Sequence, residues 1–359
     1  MKIHLIVTQL EPAGAQKVAI DLANGLAQRG HEVMVVFFFE KVPVTYRLEP
    51  NVSIKILLDS GKPLNKIFNT YFKLKEYWKT SPPDVCLAFT HYANIYAAIC
   101  GKSLGIPVIV SHHNERTTYN PVVQKVDQFL QNNGWYAGIV YVSQTTKNSF
   151  QPFYKQQAID EVIYNSFESD FDISRFQMDD TGPLRILNVG RLMPQKNQLF
   201  LVESISPDMN VKLSIVGEGP EEQKLRAKIK EKGIEAQVEL LGKRDHSEIL
   251  KMLSETHFFA MPSLFEGMSI ALLEAIVLGV NTVVSDVPAQ VEAVTIGGEI
   301  YGEILPINSS DVWKDFFKNQ IQNKPKHLKG SKIHDKMVTR YLRSRFIDQF
   351  EQIFLSFQK

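Results

Sequence analysis

The opening forty residues constrain the fold more than any other part of the chain. Ile3 to Thr8 is an apolar run, broken by Glu11-Pro12-Ala13-Gly14. From Ala15 to Arg29 the apolar residues Val18, Ala19, Leu22 and Leu26 recur at three- and four-residue spacing, which places them on one side of a helix. Gly30 ends that helix, and Glu32 to Phe39 reads as a second buried strand. Strand, helix and strand with short joints form a parallel pair, because the crossover returns the second strand in the direction of the first.

The alternation continues. Leu64 to Trp78 reads as a helix, Asp84 to Phe89 as a strand, Ile95 to Lys102 as a helix, and Pro107 to Val110 and Ile139 to Val142 as strands, which gives one doubly wound domain over residues 1–165. Residues 166–183 are polar and irregular, with Ser166, Glu168, Asp170, Asp172, Asp179, Asp180 and Gly182, and read as a linker. The strand and helix pattern then restarts at Arg185 to Val189 and runs through Thr282 to Ser285, within a second α/β domain over residues 184–335. A final helical pattern, Met337 to Phe357, fills residues 336–359 and is expected to return to the N-terminal domain. The total of 359 residues agrees with two domains at ~150 residues each. Two such sheets are expected to face each other across a cleft at their carboxyl ends, where α/β proteins bind ligands.

Composition removes several function classes. Lys and Arg number 40 against 39 Asp and Glu, so the electropositive surface of a nucleic-acid binder is missing. No apolar run approaches the ~18 residues of a membrane span. Met1 to Val7 is too short for a signal peptide, so a cytosolic start is expected. Cys86 and Cys100 lie in apolar segments without metal-ligand spacing and are read as core thiols.

Three loops carry chemistry. Gly14 stands between the first strand and helix, where free amides can meet a phosphate. It lacks the further glycines of a dinucleotide turn, and Gly217-Glu218-Gly219-Pro220 has Glu222 in the third position, so a nicotinamide reading is poor. Gly190-Arg191-Leu192-Met193-Pro194-Gln195-Lys196-Asn197 places two cations five residues apart after a strand, an arrangement that suits a diphosphate. In Pro262 to Gly279 a helix is apolar on every side except at Glu274. Its start at Met268 and Ser269 offers free amides, preceded by Glu266 and Gly267.

Taken together, Gly190-Arg191-Leu192 with Lys196, Val216-Gly217-Glu218-Gly219-Pro220, and Glu266 with Glu274 eight positions on resemble the retaining, nucleotide-sugar-dependent GT-B glycosyltransferases of family 4. Ala13-Gly14-Ala15-Gln16, Ser111-His112-His113-Asn114 and Val162-Ile163-Tyr164-Asn165 extend the resemblance through the front half. It implies that Arg191 and Lys196 hold the donor diphosphate, with Gly190 in the same loop. It also implies that Glu274 takes the ribose hydroxyls, and that Glu266 with the amides of Gly267, Met268 and Ser269 holds sugar and phosphate. Lys243 and Arg244 would line the base, Gly14 would face acceptor or phosphate, and His113, with His112 as second choice, would contact the sugar. The donor implied is a UDP-sugar carrying a hexose or N-acetylhexosamine, the acceptor a glycan or lipid-linked oligosaccharide, and no metal cofactor is expected. The chain departs from the family at Ala13 and Ser166, where glycine is usual.

Asp170-Phe171-Asp172 has the spacing of a metal-binding Asp-x-Asp, but its place in the linker argues for solvated carboxylates. The segment Lys62 to Lys79 combines Lys66, Lys73 and Lys75 with aromatic residues, and reversible contact with an anionic membrane is expected through it, at the inner face of the plasma membrane. The rival readings are a sugar-nucleotide epimerase and a catalytically silent sugar-binding protein.

Overall fold

The computed structural model describes residues 1–11, 13–44, 46–58, 66–168, 171 and 181–358, side chains of 66–68 excepted. The chain forms two compact units, Met1–Ser166 with Arg343–Lys359, and Phe167–Leu342.

The first unit runs β1 (Lys2–Leu10), α1 (Gly14–Gln28), β2 (Glu32–Glu40), β3 (Val52–Leu58), α2 (Lys66–Thr80), β4 (Val85–Phe89), α3 (His91–Leu104), β5 (Val108–His112), α4 (Pro121–Asn132), β6 (Gly138–Tyr141), α5 (Gln144–Phe150) and β7 (Asp160–Val162). Its sheet has the order β3-β2-β1-β4-β5-β6-β7, all parallel. The central strands are apolar without alternation because both faces are covered: β4 and β5 are buried at every position. Ile6, Val36, Cys86 and Ala88 share one core with Leu74 and Trp78 of α2, Ala97 of α3 and Leu130 of α4. Cys86 and Cys100 are free and buried, and burial pushes the Cys100 thiol up to about 12.

The second unit runs β8 (Leu184–Val189), α6 (Gln198–Glu203), β9 (Val211–Val216), α7 (Glu222–Lys232), β10 (Val238–Gly242), α8 (His246–Ser254), β11 (Phe258–Met261), α9 (Ile270–Leu278), β12 (Asn281–Ser285), α10 (Pro288–Val294), β13 (Thr295–Ile296), β14 (Glu299–Ile300), β15 (Glu303–Leu305), α11 (Ser310–Gln322) and α12 (Lys332–Arg340). Its parallel sheet has the order β10-β9-β8-β11-β12-β15, and β13 with β14 is a small antiparallel pair.

The tail differs from the single helix expected over Met337 to Phe357. It is two helices, α12 and then α13 (Arg343–Leu355), and the change of unit falls at 342/343 rather than 335/336. Tyr341 supplies the reason. It is fully buried in the second unit, its hydroxyl donates to Ala293 O at 2.7 Å and its carbonyl accepts from Phe167 N. Beyond it, α13 buries Ile347, Phe350 and Phe354 in the first unit and packs on α1. Ile347 lies where a side chain at Gly25 would stand, 2.0 Å from a Cβ built there, and Arg29 pairs with Asp348 and Glu351.

In both sheets the strand order reverses at one strand, β1 between β2 and β4, and β8 between β9 and β11. The loops leaving these strands are where a parallel sheet presents a ligand site.

Candidate active site

In the second unit the loop after β8 lies flat on the turn after β9. Gly190 N donates to Val216 O at 3.0 Å, Leu192 N to Glu218 O at 2.9 Å, and Glu221 N to Leu192 O at 3.0 Å. Glycine is required at two places in that turn. A Cβ on Gly217, whose φ is +141°, would stand 1.9 Å from Gly190 O, and one on Gly219 would stand 2.3 Å from Leu192 O. Gly217-Glu218-Gly219 is therefore a backbone bed for the Arg191 loop. Gly217 N also donates to Gly242 O at 2.9 Å, which ties in the loop carrying Lys243 and Arg244.

The Arg191 loop is joined to the loop after β11 as well. Leu264 N donates to Gln195 O at 2.8 Å and the Gln195 amide to Phe265 O at 3.0 Å. Between them Lys196 Nζ donates to Glu266 Oε1 at 2.6 Å, with both side chains largely buried. The chain turns from this pair into α6 through Asn197, whose φ of +53° is left-handed, a conformation Asn adopts more readily than most residues. Gly190 itself is under no such demand, since the nearest atoms to a Cβ there belong to the flexible Lys196 side chain, at 3.5 Å.

After Glu266, Gly267, Met268 and Ser269 are all buried, and Ser269 is the N-cap of α9. Its side chain makes no capping bond and the first turn has no acidic residue. The first-turn amides and the positive end of the helix dipole are thus left for an anion. On α9, Glu274 is 4% exposed among Leu272, Leu273, Ala275 and Ile276. Its carboxylate lies 2.9 Å from His246 Nε2 at the start of α8, and the His246 ring stands edge-on to Phe167. Sequence reasoning missed His246; the signal available was the Asp245 and Glu248 capping box, which starts α8 directly after the Lys243–Arg244 loop. Lys243 is exposed and Arg244 half-buried, its Nη1 3.3 Å from Lys243 O.

Gly14 and His113 belong to the first unit. Gly14 opens α1, whose N-cap Ala13 makes no side-chain bond and whose first turn carries no acid. Ala13 has φ −144°, extended backbone that alanine adopts without strain, so the departure from glycine costs nothing conformationally. His113 directly follows β5, half-buried against Phe89, with Nε2 3.0 Å from Ser111 Oγ, and burial lowers its pKa to about 4. His112 is fully buried, stacked on Phe150 at 4.0 Å, and lowered to about 3 by burial beside His113 and His91. It is a core residue. Sequence reasoning also missed Thr90, at the end of β4, whose φ of +76° is strained for a β-branched residue and whose hydroxyl meets that of Thr8 at 2.7 Å. Asp170 and Asp172 lie outside the described residues, and among the described residues no cluster of His, Cys, Asp or Glu could hold a metal ion.

Comparison with known proteins bears on both units. Residues 12–171 match the family Glycosyltransferase Family 4 and residues 170–333 the family Glycosyl transferases group 1. Among curated proteins, the chain is 27% identical over 289 residues to a Campylobacter jejuni α-1,4-N-acetyl-D-galactosaminyltransferase named for GalNAc-α-(1→4)-GalNAc-α-(1→3)-diNAcBac-PP-undecaprenol, covering 77% of each chain. It is 26% identical over 303 residues to a 4-α-N-acetylgalactosaminyltransferase of the same organism named for an N,N'-diacetylbacillosaminyl-diphospho-undecaprenol glycan, covering 79% and 80%. Anabaena HepE, solved in complex with UDP-glucose, has the same fold, with a TM-score of 0.81 at 20% identity over 99% of this chain and 100% of that one. Family matches over both halves and two parallel-sheet α/β domains of GT-B type lead to one conclusion: the chain belongs to the group 1 glycosyltransferases of family 4 and is a transferase enzyme.

Proposed function

We propose that the protein is a retaining glycosyltransferase that moves a hexose or N-acetylhexosamine from UDP to a glycan or lipid-linked oligosaccharide acceptor. The observation that carries this reading is the Lys196–Glu266 pair, set beside the Arg191 loop and the uncapped start of α9. An ammonium group has three donors, so Lys196 can keep Glu266 and still meet a diphosphate. Arg191, Lys196 and the α9 amides then face the charge that grows on the leaving group, and no metal is needed to neutralise it. Glu274 takes the ribose hydroxyls, Lys243 and Arg244 the base, and Glu266 with Gly267, Met268 and Ser269 the sugar. Gly190 and Gly14 allow close approach of the backbone.

The acceptor hydroxyl attacks the anomeric carbon on the face from which UDP departs. The new C–O bond forms as the bond to phosphate breaks, and the hydroxyl proton passes to the departing phosphate oxygen. His113 is assigned to the sugar as a neutral imidazole, since burial keeps it uncharged above about pH 4. The names of the two Campylobacter relatives, both undecaprenol-linked glycans, support a lipid-linked acceptor. Such an acceptor suits a protein that touches the cytoplasmic face of the membrane through the lysines of α2 without spanning it. Among the described residues no helix is long and apolar enough to cross a bilayer.

The test is a panel of UDP-sugars with and without diphosphoundecaprenol-linked glycans, with and without EDTA. Acceptor-dependent UDP release that survives EDTA, with a product of unchanged anomeric configuration, is the expected result. UDP release without acceptor identifies the epimerase instead, and donor binding without turnover identifies the silent protein. Full inactivation by EDTA, reversed by manganese, returns the metal role to Asp170 and Asp172.

A further inference from the structure

The helix α4 turns an apolar stripe outward and buries polar side chains. Val122, Val126 and Phe129, at i, i+4 and i+7, are 70%, 37% and 58% exposed, while Asp127 and Gln131 are buried with Val123 and Leu130. The rotation is locked. The Asp127 carboxylate accepts from the Tyr136 hydroxyl at 2.5 Å and from the Tyr154 hydroxyl, and the Gln131 amide donates to Lys155 O, so the helix cannot turn to hide its apolar stripe without stranding buried polar groups. Tyr92 on α3, Phe72 on α2 and Phe153 after α5 are exposed too.

Charge singles out what could cover this surface. Helix α2 packs on α3 and α3 on α4, so the three form one layer over the sheet. By sequence that layer carries Lys66, Lys73, Lys75, Lys79, Lys102 and Lys125 against Glu76 and the buried Asp127. Lys155 is exposed just beyond. The helices α1 and α13, which pack on one another, are balanced instead, with Lys17, Arg343 and Arg345 against Asp21, Asp348 and Glu351. An apolar stripe on a helix layer that carries six lysines and one exposed acid fits an anionic surface that also accepts apolar side chains.

We propose that the α2–α4 layer seats on an anionic lipid bilayer, with Val122, Val126 and Phe129 entering the headgroup boundary and the lysines held to the lipid phosphates. This rests on the membrane contact proposed above and names the element that inserts. Each lysine brought within a Debye length of the surface raises partitioning about fivefold, so binding is salt-sensitive, while the α4 stripe supplies a part that salt does not remove.

The experiment is co-sedimentation of the full chain with vesicles of phosphatidylcholine alone or mixed with phosphatidylglycerol, at low and high salt. It compares wild type, Val126→Ser/Phe129→Ser and Lys73→Glu/Lys125→Glu. All four substituted side chains are at the surface, and an unchanged melting temperature checks the folding of both variants. Wild type should pellet with phosphatidylglycerol vesicles at low salt, with a residue retained at high salt. The serine variant should lose tenfold or more in partitioning and all of that residue, and the glutamate variant should lose the salt-sensitive part. A wild type that stays in the supernatant overturns the proposal, as does a serine variant that pellets like wild type. Sedimentation velocity showing self-association that the serine substitutions abolish, without vesicle binding, gives the stripe to a second copy of the chain instead. No donor or acceptor is present, so failure here leaves the glycosyl-transfer reading standing.

Discussion

Lys196 and Glu266 share a bond at 2.6 Å before any donor arrives, so each residue has both a structural and a chemical task. Lys196→Ala strands a buried carboxylate and should cost about 1–3 kcal/mol in urea unfolding, with most of that recovered in Lys196→Met/Glu266→Gln. Turnover should fall by about 10²- to 10³-fold in both, because the diphosphate loses a placed cation. Arg191 is exposed, so Arg191→Ala should lose turnover similarly without a change in melting temperature. Normal kcat in these variants would remove the diphosphate role. For Glu274→Gln, calorimetry should show UDP binding weakened by about 1–3 kcal/mol, the value of a hydrogen bond to a charged group; equal affinity would make the Glu274–His246 contact purely structural. A third expectation concerns pH. Burial holds His4 and His112 at about 3 and His113 at about 4, all neutral when folded and protonated on unfolding below about 6.5. Asp127, raised to about 7 by burial, acts in the opposite direction by releasing a proton on unfolding. Burial also lowers His91 and His327, which adds to the protons gained, and raises Glu115, which adds to those lost, so the unfolded chain binds more and stability rises with pH. Urea midpoints should fall between about pH 6.5 and 4, by on the order of several kcal/mol in stability, and a flat profile would contradict the burial of these imidazoles.

At the level of elements, the loops after β8, β9 and β11 act as one piece. Gly217→Ala and Gly219→Ala each drive a Cβ into backbone, at Gly190 and Leu192, so the Arg191 loop must move. Both should lose UDP affinity together with stability, and Gly217 adds the strain of a positive φ. In Gly190→Ala the nearest atoms to the new Cβ belong to a flexible lysine chain, and the variant should fold normally. If all three melt alike, the bed is not what holds the loop. The sequence showed each loop by its own residues and led to the glycine turn being weighed as a dinucleotide motif that lacks its third glycine. Its real partner, the Arg191 loop, lies more than twenty residues away and is brought close by the pairing of β8 with β9.

At the scale of the molecule, the chain leaves the first unit at 166 and returns to it at 343. Helix α13 buries Phe346, Ile347, Phe350 and Phe354, each such side chain worth ~1.5–3 kcal/mol, and its Asp348 and Glu351 hold Arg29. Removal of residues 343–359 should therefore bare the outer face of α1 and lower the melting temperature of the first unit by well over 5 °C, or leave the protein insoluble. A truncated chain with wild-type melting would show that α13 docks too weakly to matter. In the intact protein, Gly25→Leu should weaken the same contact, since Ile347 occupies the space a side chain needs.

Local periodicity determined the architecture. Apolar runs, amphipathic helices and short joints leave a parallel sheet as the arrangement that buries every strand, and that holds whichever strands become neighbours. The positions of the chemistry-bearing loops followed, because they are the joints themselves. Only the tertiary structure decided who meets whom: Lys196 with Glu266 across 70 residues, and Glu274 with His246 across 28. It also decided that His112 rather than His113 enters the core, that the tail breaks at Tyr341, and that α4 turns its valines and phenylalanine outward around a buried aspartate. The reason is common to all of these. Periodicity records whether a residue faces in or out of its own element, whereas a pairing depends on strand order and on which neighbour already satisfies a buried polar group.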